Sequence, residues 1–378
     1  MNAEQILEKL VNINSVFPRE KELALYVNNY LKRQGFTTKM SKVQEGRLNV
    51  FAERGTKGRS ILFYGHLDTV PVYGKWKSDP LRLTKKGDNA YGIGVCDMKG
   101  GIAAALASFS IRSDRKIKAL FCVDEENISR GAWHAATNSR KWFRDVSLVI
   151  SGDPAISDRT VGGPSVLNAG RKGRTVISID IQGLSSHGSN PQRGINAIDE
   201  MSGIVKNIKR LKLRTHPKLG KESLFVRSVS GESTSLAVPE SAHMELDIQL
   251  VPPSTVADCK KRVEDLIREM YRKGKLNPKT KVTVSVKKRD TPYIEPFATD
   301  LNDRKVKKVL SIMGERFGKT MINYGDSVAD DNVFSNSLGI PVISLAPSGG
   351  NEHTANEWIS IKSLEDVADL YKAIICEL

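Results

Sequence analysis

The chain has 378 residues, of which 39% are hydrophobic and 27% charged. This is an ordinary globular composition that excludes disorder along the whole chain, and the length favours two compact units over one small domain. Lysine and arginine exceed aspartate and glutamate by 15 charges, but the basic residues form dispersed groups without interleaved aromatic residues. We therefore interpret the charge as a solvated surface and expect no specific nucleic-acid partner.

Helical periodicity opens the chain, where Ile6, Leu10 and Val11 recur at helical spacing and a second helix ends at Gly35. Short apolar strands and helices then alternate, a pattern typical of an α/β fold whose mixed sheet is largely parallel and flanked by helices. The predicted strands of this sheet are 60–64, 118–123, 147–151 and 341–345, and a helix is predicted over 98–107.

The middle of the chain has a different pattern. Residues 174–181, 242–250 and 281–286 alternate between apolar and polar side chains, as half-exposed strands do, and helical segments cover 197–211 and 256–273. We therefore predict a small α+β domain of the split βαβ, ferredoxin-like type over 172–290. It is inserted into a larger domain formed by 1–171 and 291–378.

A potential metal ligand follows each predicted strand of the larger domain. Because the carboxyl ends of parallel strands meet at one edge of a sheet, we expect these side chains to converge. The set contains imidazoles and carboxylates, which are donors that zinc accepts. Its members are His66, Asp97, Glu125, Glu126, Asp153 and His353.

Two zinc ions bound side by side need one bridging carboxylate and terminal ligands on each side. Asp97 is the candidate bridge. His66 with Asp153 completes one metal site, and Glu126 with His353 completes the other. Cobalt or manganese can occupy such a site when zinc is scarce.

Two further carboxylates have predicted roles at this site. Asp68, two residues after His66, is a candidate acceptor for the imidazole N–H, and Glu125 is free to act as the general base. Taken singly, these residues have ordinary explanations, such as a helix cap for Asp97 and a turn for Asp153. Their order at successive strand ends favours a metal site.

The motifs Gly-His-Leu-Asp-Thr-Val-Pro at 65–71, Gly-Val-Cys-Asp-Met-Lys-Gly-Gly at 94–101, Asp-Glu-Glu at 124–126 and Asn-Glu-His at 351–353 occur together. This combination resembles the di-zinc amidohydrolases and peptidases that include acetylornithine deacetylase, succinyl-diaminopimelate desuccinylase, aminoacylase and glutamate carboxypeptidase. The resemblance covers nearly the whole chain. It implies a zinc-peptidase catalytic domain with two Zn²⁺ per chain and the same ligand and base roles for these residues.

The resemblance also implies a homodimer formed through the inserted dimerisation or lid domain. The segment 183–191 is similar to a family motif whose histidine reaches the active site of the other subunit and helps to hold the tetrahedral oxyanion. His187 is the matching residue. A donor aimed at charge that develops in the transition state is worth several kcal/mol.

Two departures from the family pattern bear on the substrate. Leu236 and Gln249 stand where members that bind a substrate α-carboxylate often have asparagine and arginine. A neutral amide cannot replace the bidentate grip of arginine, so carboxylate recognition either uses another cation, for which Arg171 and Arg193 are the candidates, or is absent. Aspartate at 153, instead of glutamate, tends in this family to accompany aminopeptidase and dipeptidase activity.

The sequence thus predicts a zinc-dependent hydrolase that cleaves an amide bond of a small N-acyl amino acid or short peptide. An aminopeptidase or dipeptidase of the same family is one alternative, and a catalytically silent binding protein on the same fold is another. The four cysteines are widely spaced, and the N-terminal segment lacks the apolar core of a secretory signal. No apolar run approaches the roughly 20 residues that span a bilayer, so we expect a cytoplasmic protein without a membrane partner.

Overall fold

The computed structural model describes residues 1–154, 162–233 and 235–378. Its α-helices are α1 (Ala3–Val11), α2 (Lys21–Arg33), α3 (Gly100–Ser108), α4 (Arg130–Asn138), α5 (Ala197–Ile208), α6 (Val256–Arg272), α7 (Arg304–Phe317), α8 (Asn332–Leu338) and α9 (Ile361–Glu377). Its strands are β1 (Thr37–Gln44), β2 (Arg47–Arg54), β3 (Lys57–His66), β4 (Thr84–Lys86), β5 (Asn89–Tyr91), β6 (Arg115–Cys122), β7 (Val146–Ser151), β8 (Val166–Arg171), β9 (Gly173–Gln182), β10 (Thr215–His216), β11 (Gly220–Lys221), β12 (Ser223–Ser230), β13 (Ser241–Leu250), β14 (Lys281–Val286), β15 (Phe297–Ala298), β16 (Met321–Gly325), β17 (Val342–Ser344), β18 (Gly349–Gly350) and β19 (Trp358–Ser360).

The chain divides into two compact units. The first comprises 1–171 and 297–378, and the second comprises Lys172–Pro296. The sequence-based boundary at 290 falls six residues before the observed one, because the Arg174 amide donates to the Ile294 carbonyl oxygen at 2.8 Å and keeps this stretch with the second unit. Within the described part of the chain, no helix has the length and apolar character needed to cross a bilayer.

A mixed sheet of nine strands forms the centre of the first unit. Its order is β1-β2-β6-β3-β7-β17-β8-β15, and β16 pairs with β8. β3 runs parallel to both β6 and β7, and β7 runs parallel to β17, whereas β1, β2 and β6 pair in antiparallel fashion. The prediction of a mixed, largely parallel sheet with flanking helices is confirmed.

Local sequence explains how the helices of this unit begin, end and pack. α1 starts with a capping box, in which the Asn2 side chain accepts the Gln5 N–H and the Gln5 side chain accepts the Asn2 N–H. Its buried face is apolar at helical spacing, as the sequence predicts. α2 ends two residues before Gly35, whose φ of +80° is the left-handed conformation that favours glycine.

Small residues allow α3 to pack closely against the sheet. All nine of its residues are buried. A Cβ at Gly101 would lie 2.2 Å from the Gly152 carbonyl oxygen, so no larger residue fits without movement of the backbone. This close approach brings the segment before α3, which contains Asp97, next to the turn after β7, which contains Asp153.

The second unit has a four-stranded antiparallel sheet in the order β12-β13-β9-β14. Apolar side chains from β9 and β13 pack against α5 and α6 in a separate hydrophobic core. The chain order β9-α5-β12-β13-α6-β14 is the predicted split βαβ arrangement. β12 was not predicted from the sequence, because it is an edge strand whose residues are mostly exposed and therefore carry little apolar pattern.

Candidate metal centre

Three neighbouring parallel strands lead to the side chains that the sequence selected as metal ligands. His66 is the last residue of β3, residues 124–126 follow β6, and Asp153 comes two residues after β7. Because β6, β3 and β7 are adjacent and parallel, their carboxyl ends lie at one edge of the sheet. The turn before α3 adds Asp97 and the loop after β18 adds His353, so the structure brings all five candidate ligands together.

The five side chains form two overlapping groups that share Asp97. Ligand atoms of His66, Asp97 and Asp153 lie within 4.8 Å of one another, and so do those of Asp97, Glu126 and His353. Asp97 Oδ1 lies 3.0 Å from His66 Nε2, whereas Asp97 Oδ2 lies 3.4 Å from His353 Nε2. Each oxygen of Asp97 therefore faces a different group, which is the arrangement needed for a carboxylate that bridges two cations.

The excess of carboxylates in this cluster raises the pKa of both imidazoles. Hydrogen bonds with Asp97 and Glu126 raise the pKa of His353 to about 11. Burial alone would lower the pKa of His66, but its hydrogen bond and charge interaction with Asp97 raise it well above the ordinary value. The cluster thus stabilises positive charge, and its imidazole and carboxylate donors fit zinc.

A buried carboxylate that was missed in the sequence holds the segment of Asp97. Glu357 accepts the backbone N–H groups of Gly94 at 2.7 Å, Cys96 at 2.8 Å and Asp97 at 2.9 Å. Burial raises the pKa of Glu357 to about 8, although these three donors oppose the rise. The convergence of three amides on one side chain fixes the backbone direction at Asp97. No local pattern links Glu357 to a segment about 260 residues earlier.

The carboxylate of Asp68 binds backbone amides, and not the imidazole as expected from the sequence. Its two oxygens accept the N–H groups of Glu125 at 3.1 Å and Glu126 at 3.0 Å. His66 Nδ1 lies 3.0 Å from the Asp68 carbonyl oxygen but 3.7 Å from the carboxylate. The backbone of Asp68 therefore orients His66, while its side chain positions the base and one candidate ligand.

Glu125, the predicted general base, has one oxygen engaged within the protein. Its Oε1 accepts the Asp330 backbone N–H at 3.3 Å, and its carboxyl group lies near His66 and Glu126. Burial raises the pKa of Glu125 well above its ordinary value, and the charges of Asp330, Glu126 and Asp153 raise it further. A carboxyl group with a raised pKa is suited to accept a proton and return it near neutral pH.

Arg171 holds Asp153 and does not present a free guanidinium to a substrate. Its side chain is 1% exposed, with Nη2 2.6 Å from Asp153 Oδ1 and Nε 3.3 Å from Asp331 Oδ1. Burial raises the pKa of Asp153 to about 7, and the charge of Arg171 opposes the rise. The sequence-based interpretation of Arg171 as a substrate contact is therefore replaced by a role in positioning Asp153.

Another buried cation, also missed in the sequence, holds the loop after β6. Arg47 Nη1 lies 2.6 Å from Asp124 Oδ1, and Arg47 Nε donates to Glu20 Oε2 at 3.0 Å. Neither carboxylate is exposed, and the guanidinium lies 4.5 Å from the centroid of the Phe17 ring. Asp124 has a φ of +74°, so its anchored side chain supports an unusual backbone turn directly before Glu125.

The remaining candidate residues lie in the second unit. His187 is exposed, and its Nδ1 accepts the Ser189 backbone N–H at 3.2 Å, which leaves the proton on Nε2. Arg193 is exposed and stands at the end of a short 3₁₀ turn. Leu236 is 84% exposed, and Gln249 lies on β13.

The mixed sheet and the histidine and carboxylate cluster at its edge are those of a metal-dependent hydrolase. A family model described as "Peptidase family M20/M25/M40" matches residues 62–377. The chain belongs to this family.

Relatives of the chain include deacylases and peptidases. It is 27% identical over 289 residues to acetylornithine deacetylase of Buchnera aphidicola subsp. Schizaphis graminum, covering 71% of this chain and 73% of the relative. It is 24% identical over 389 residues to succinyl-diaminopimelate desuccinylase of Rickettsia bellii, covering 98% and 95%. The crystal structure of a tripeptidase from Staphylococcus aureus matches with a TM-score of 0.77 at 21% identity, covering 99% of this chain and 97% of the other. The comparisons support a hydrolase of the deacylase or peptidase type.

Proposed function

We propose that this protein is a di-zinc hydrolase that cleaves an amide bond in a small N-acyl amino acid or a short peptide. The observation that supports this most directly is the pair of ligand groups that share Asp97, with the carboxyl group of Glu125 beside them. The presence of every candidate ligand together with a base favours catalysis over a silent binding role on the same fold.

The proposed ligands divide between two metals. His66 and Asp153 would hold one, Glu126 and His353 would hold the other, and Asp97 would bridge them. What zinc supplies when bound is Lewis acidity, which lowers the pKa of water towards neutrality and polarises a substrate carbonyl. Cobalt or manganese would satisfy the same donors.

The protein itself moves the proton in this proposal. Glu125 Oε1 is occupied by the Asp330 amide, so Oε2 takes the proton of the attacking water and passes it to the leaving amine. The side chain of Asp68 holds the backbone of Glu125, which keeps the base in one place during both transfers.

We also propose a homodimer formed through the second unit, in which His187 of one protomer serves the site of the other. The proton on Nε2 makes His187 a hydrogen-bond donor for the oxyanion. Phe225 and Val229 are 57% and 51% exposed on the edge strand β12, which gives this unit an apolar surface that a second copy could cover.

An aminopeptidase or dipeptidase activity is the second candidate. Its support is the burial of Arg171, which leaves Arg193 as the remaining candidate cation for a substrate carboxylate. The identities of Leu236, Gln249 and Asp153 point in the same direction.

The proposed location is the cytoplasm. All four cysteines lie in the described part of the chain and are free thiols, three of them buried. Free thiols are expected in a reducing compartment.

Replacement of Glu125 by glutamine tests the proposed mechanism. The amide keeps the shape but cannot accept a proton, so we expect kcat to fall by about 10²–10⁴-fold while the bound metal per chain and the fold are unchanged. Glu45→Gln, an exposed substitution in the same unit, is the matched control. Activity of Glu125→Gln within about tenfold of wild type would exclude Glu125 as the base.

A substrate panel separates the two candidate activities. Zinc-loaded enzyme is assayed on acetyl, succinyl and glutamyl amino acids and on unblocked di- and tripeptides, with Glu125→Gln as the background control. Preference for blocked amino acids supports a deacylase, and preference for free amino termini supports the aminopeptidase or dipeptidase. Metal-replete protein that cleaves nothing in the panel would contradict both.

A further inference from the structure

A second concave site in the first unit carries strong positive charge. This basic groove has a volume of about 600 Å³ and is lined by Arg59, Arg140, Lys141 and Arg144, and its apolar floor includes Leu338, Pro341 and Phe143. All four cations are exposed.

The basic groove lies at the opposite edge of the sheet from the metal ligands. Apart from Asp303, its lining residues lie before or at the start of β3, β7 and β17, whereas His66, Glu126 and Asp153 lie at or after the carboxyl ends of β3, β6 and β7. With a rise of about 3.3 Å per residue, the length of β3 and β7 separates the two sites by roughly 20 Å or more. The basic groove is therefore independent of the proposed active site.

In the part of the chain that the structure describes, the cations of the basic groove have no acidic partner. Among the described residues, no carboxylate forms an ion pair with any of the four; Arg59 donates instead to the Val146 carbonyl oxygen at 3.0 Å. Asp303 is the acidic residue in the lining, and its carboxylate caps α7 by accepting two backbone N–H groups. Four cations around one concavity, without a carboxylate partner among the described residues, create a field that attracts a multivalent anion.

Neighbouring residues extend this positive field. Partial burial lowers the pKa of Lys305, and the charges of Arg115, Arg304 and Arg59 lower it further. Arginine binds a carboxylate through two parallel hydrogen bonds. The three arginines therefore match carboxylate ligands better than an anion whose charge is spread over many atoms.

The floor of the basic groove favours a peptide over a nucleic acid. Phe143 is 3% exposed, and its ring packs against Trp142 and Phe334 at centroid distances of 5.0 and 5.6 Å. It is therefore not available as a platform for stacked bases. Leu338 and Pro341 are half-buried residues of the lining, and they offer apolar contact to a side chain such as leucine.

We propose that the basic groove docks an acidic peptide segment of a partner protein, with glutamate or aspartate carboxylates on the arginines and an apolar side chain on the floor. The proposal does not depend on the reaction at the metal centre. The two sites can be tested separately because Arg140 and Arg144 have no part in the proposed catalysis.

A binding experiment with a labelled peptide tests this proposal. The probe is a fluorescein-labelled hexapeptide of the sequence Glu-Leu-Glu-Glu-Leu-Glu, titrated with the full chain at about 50 mM and about 200 mM salt. We expect saturable binding that Arg140→Glu/Arg144→Glu weakens by at least about tenfold and that the higher salt also weakens. The same peptide with glutamine for glutamate, or with serine for leucine, should bind more weakly.

Matched variants keep the result interpretable. Lys32→Glu/Arg33→Glu changes the net charge equally on α2 and should change the affinity by no more than about twofold. Arg140→Gln/Arg144→Gln provides a milder variant, and unchanged thermal unfolding shows that each variant is folded.

Several outcomes would overturn the proposal. The first is that the wild type shows no saturable binding up to about 1 mM peptide. The second is that the groove variant and the α2 variant lose affinity equally, and the third is that the glutamine peptide binds as tightly as the glutamate peptide. An oligothymidylate of about twelve nucleotides that binds more tightly than the peptide, and depends on Arg140 and Arg144, would assign the groove to nucleic acid instead.

Discussion

Replacement of Arg171 by methionine distinguishes a structural cation from a substrate-binding one. Methionine retains much of the apolar length of the side chain but removes the charge that lies between Asp153 and Asp331. Because both carboxylates are buried, the substitution leaves two negative charges without their cation. Loss of one member of a buried ion pair costs about 3–5 kcal/mol of the free energy of unfolding.

This loss is large enough to measure by thermal unfolding. For a unit of this size, each kcal/mol lowers the melting temperature by roughly 2–4 °C, so we expect a fall of about 6–20 °C. Arg193→Met, at an exposed position, is the matched control and should change stability by less than about 0.5 kcal/mol. Differential scanning calorimetry of both variants and the wild type provides the comparison.

Enzyme kinetics then separate the two roles of Arg171. If it positions Asp153, Arg171→Met should lower kcat and bound metal together. If it bound a substrate carboxylate, the variant would raise KM with kcat and melting temperature nearly unchanged, and the positioning role would be refuted. Addition of Asp331→Asn to Arg171→Met removes one stranded charge, so the double variant should be more stable than the sum of the single changes predicts.

Three further substitutions test other buried contacts. Arg47→Met strands two buried carboxylates and should cost about 3–5 kcal/mol in a denaturant titration, and an unchanged midpoint would contradict the contact network. Glu357→Gln weakens the binding of three backbone amides and should lower zinc affinity by about 10–100-fold in a chelator competition, whereas equal affinity would show that this carboxylate does not hold the site. Burial by itself would raise the pKa of Glu222, but hydrogen bonds from Arg262, Ser254 and a backbone amide outweigh burial and lower it. The stabilisation by Glu222 is therefore fully present above its ordinary pKa of 4.5 and is lost as the pH falls through the folded value. The stability difference between wild type and Glu222→Gln should shrink in that range when unfolding is followed against pH.

The sequence located the candidate ligands because strand ends and ligands occur together along the chain. The apolar strands that end at His66 or precede Asp153 can be recognised from the local sequence, since strand patterns extend over only a few residues. The adjacency of parallel strands then predicts that the ligands meet, and the structure shows them within one cluster. The same dependence on apolar patterns explains why β12 was missed. An exposed edge strand has few apolar residues in alternation.

The supporting contacts could not be predicted in this way. Arg171 looked available for a substrate because its burial depends on Asp331, which lies far along the chain, as well as on Asp153. Glu357 and Arg47 have ordinary sequence surroundings, and their roles appear only when distant segments pack together. Asp68 was expected to accept the imidazole N–H of His66, but in the folded loop its carboxylate binds backbone amides.

The amino-acid sequence by itself therefore determined the fold class, the family resemblance and the residues gathered at the sheet edge, because these follow from short-range periodicity and ordered motifs. The tertiary structure decided which side chains hold those residues in place and where unpaired positive charge collects. Such contacts join positions tens to hundreds of residues apart, and their energies depend on burial, which no local pattern specifies.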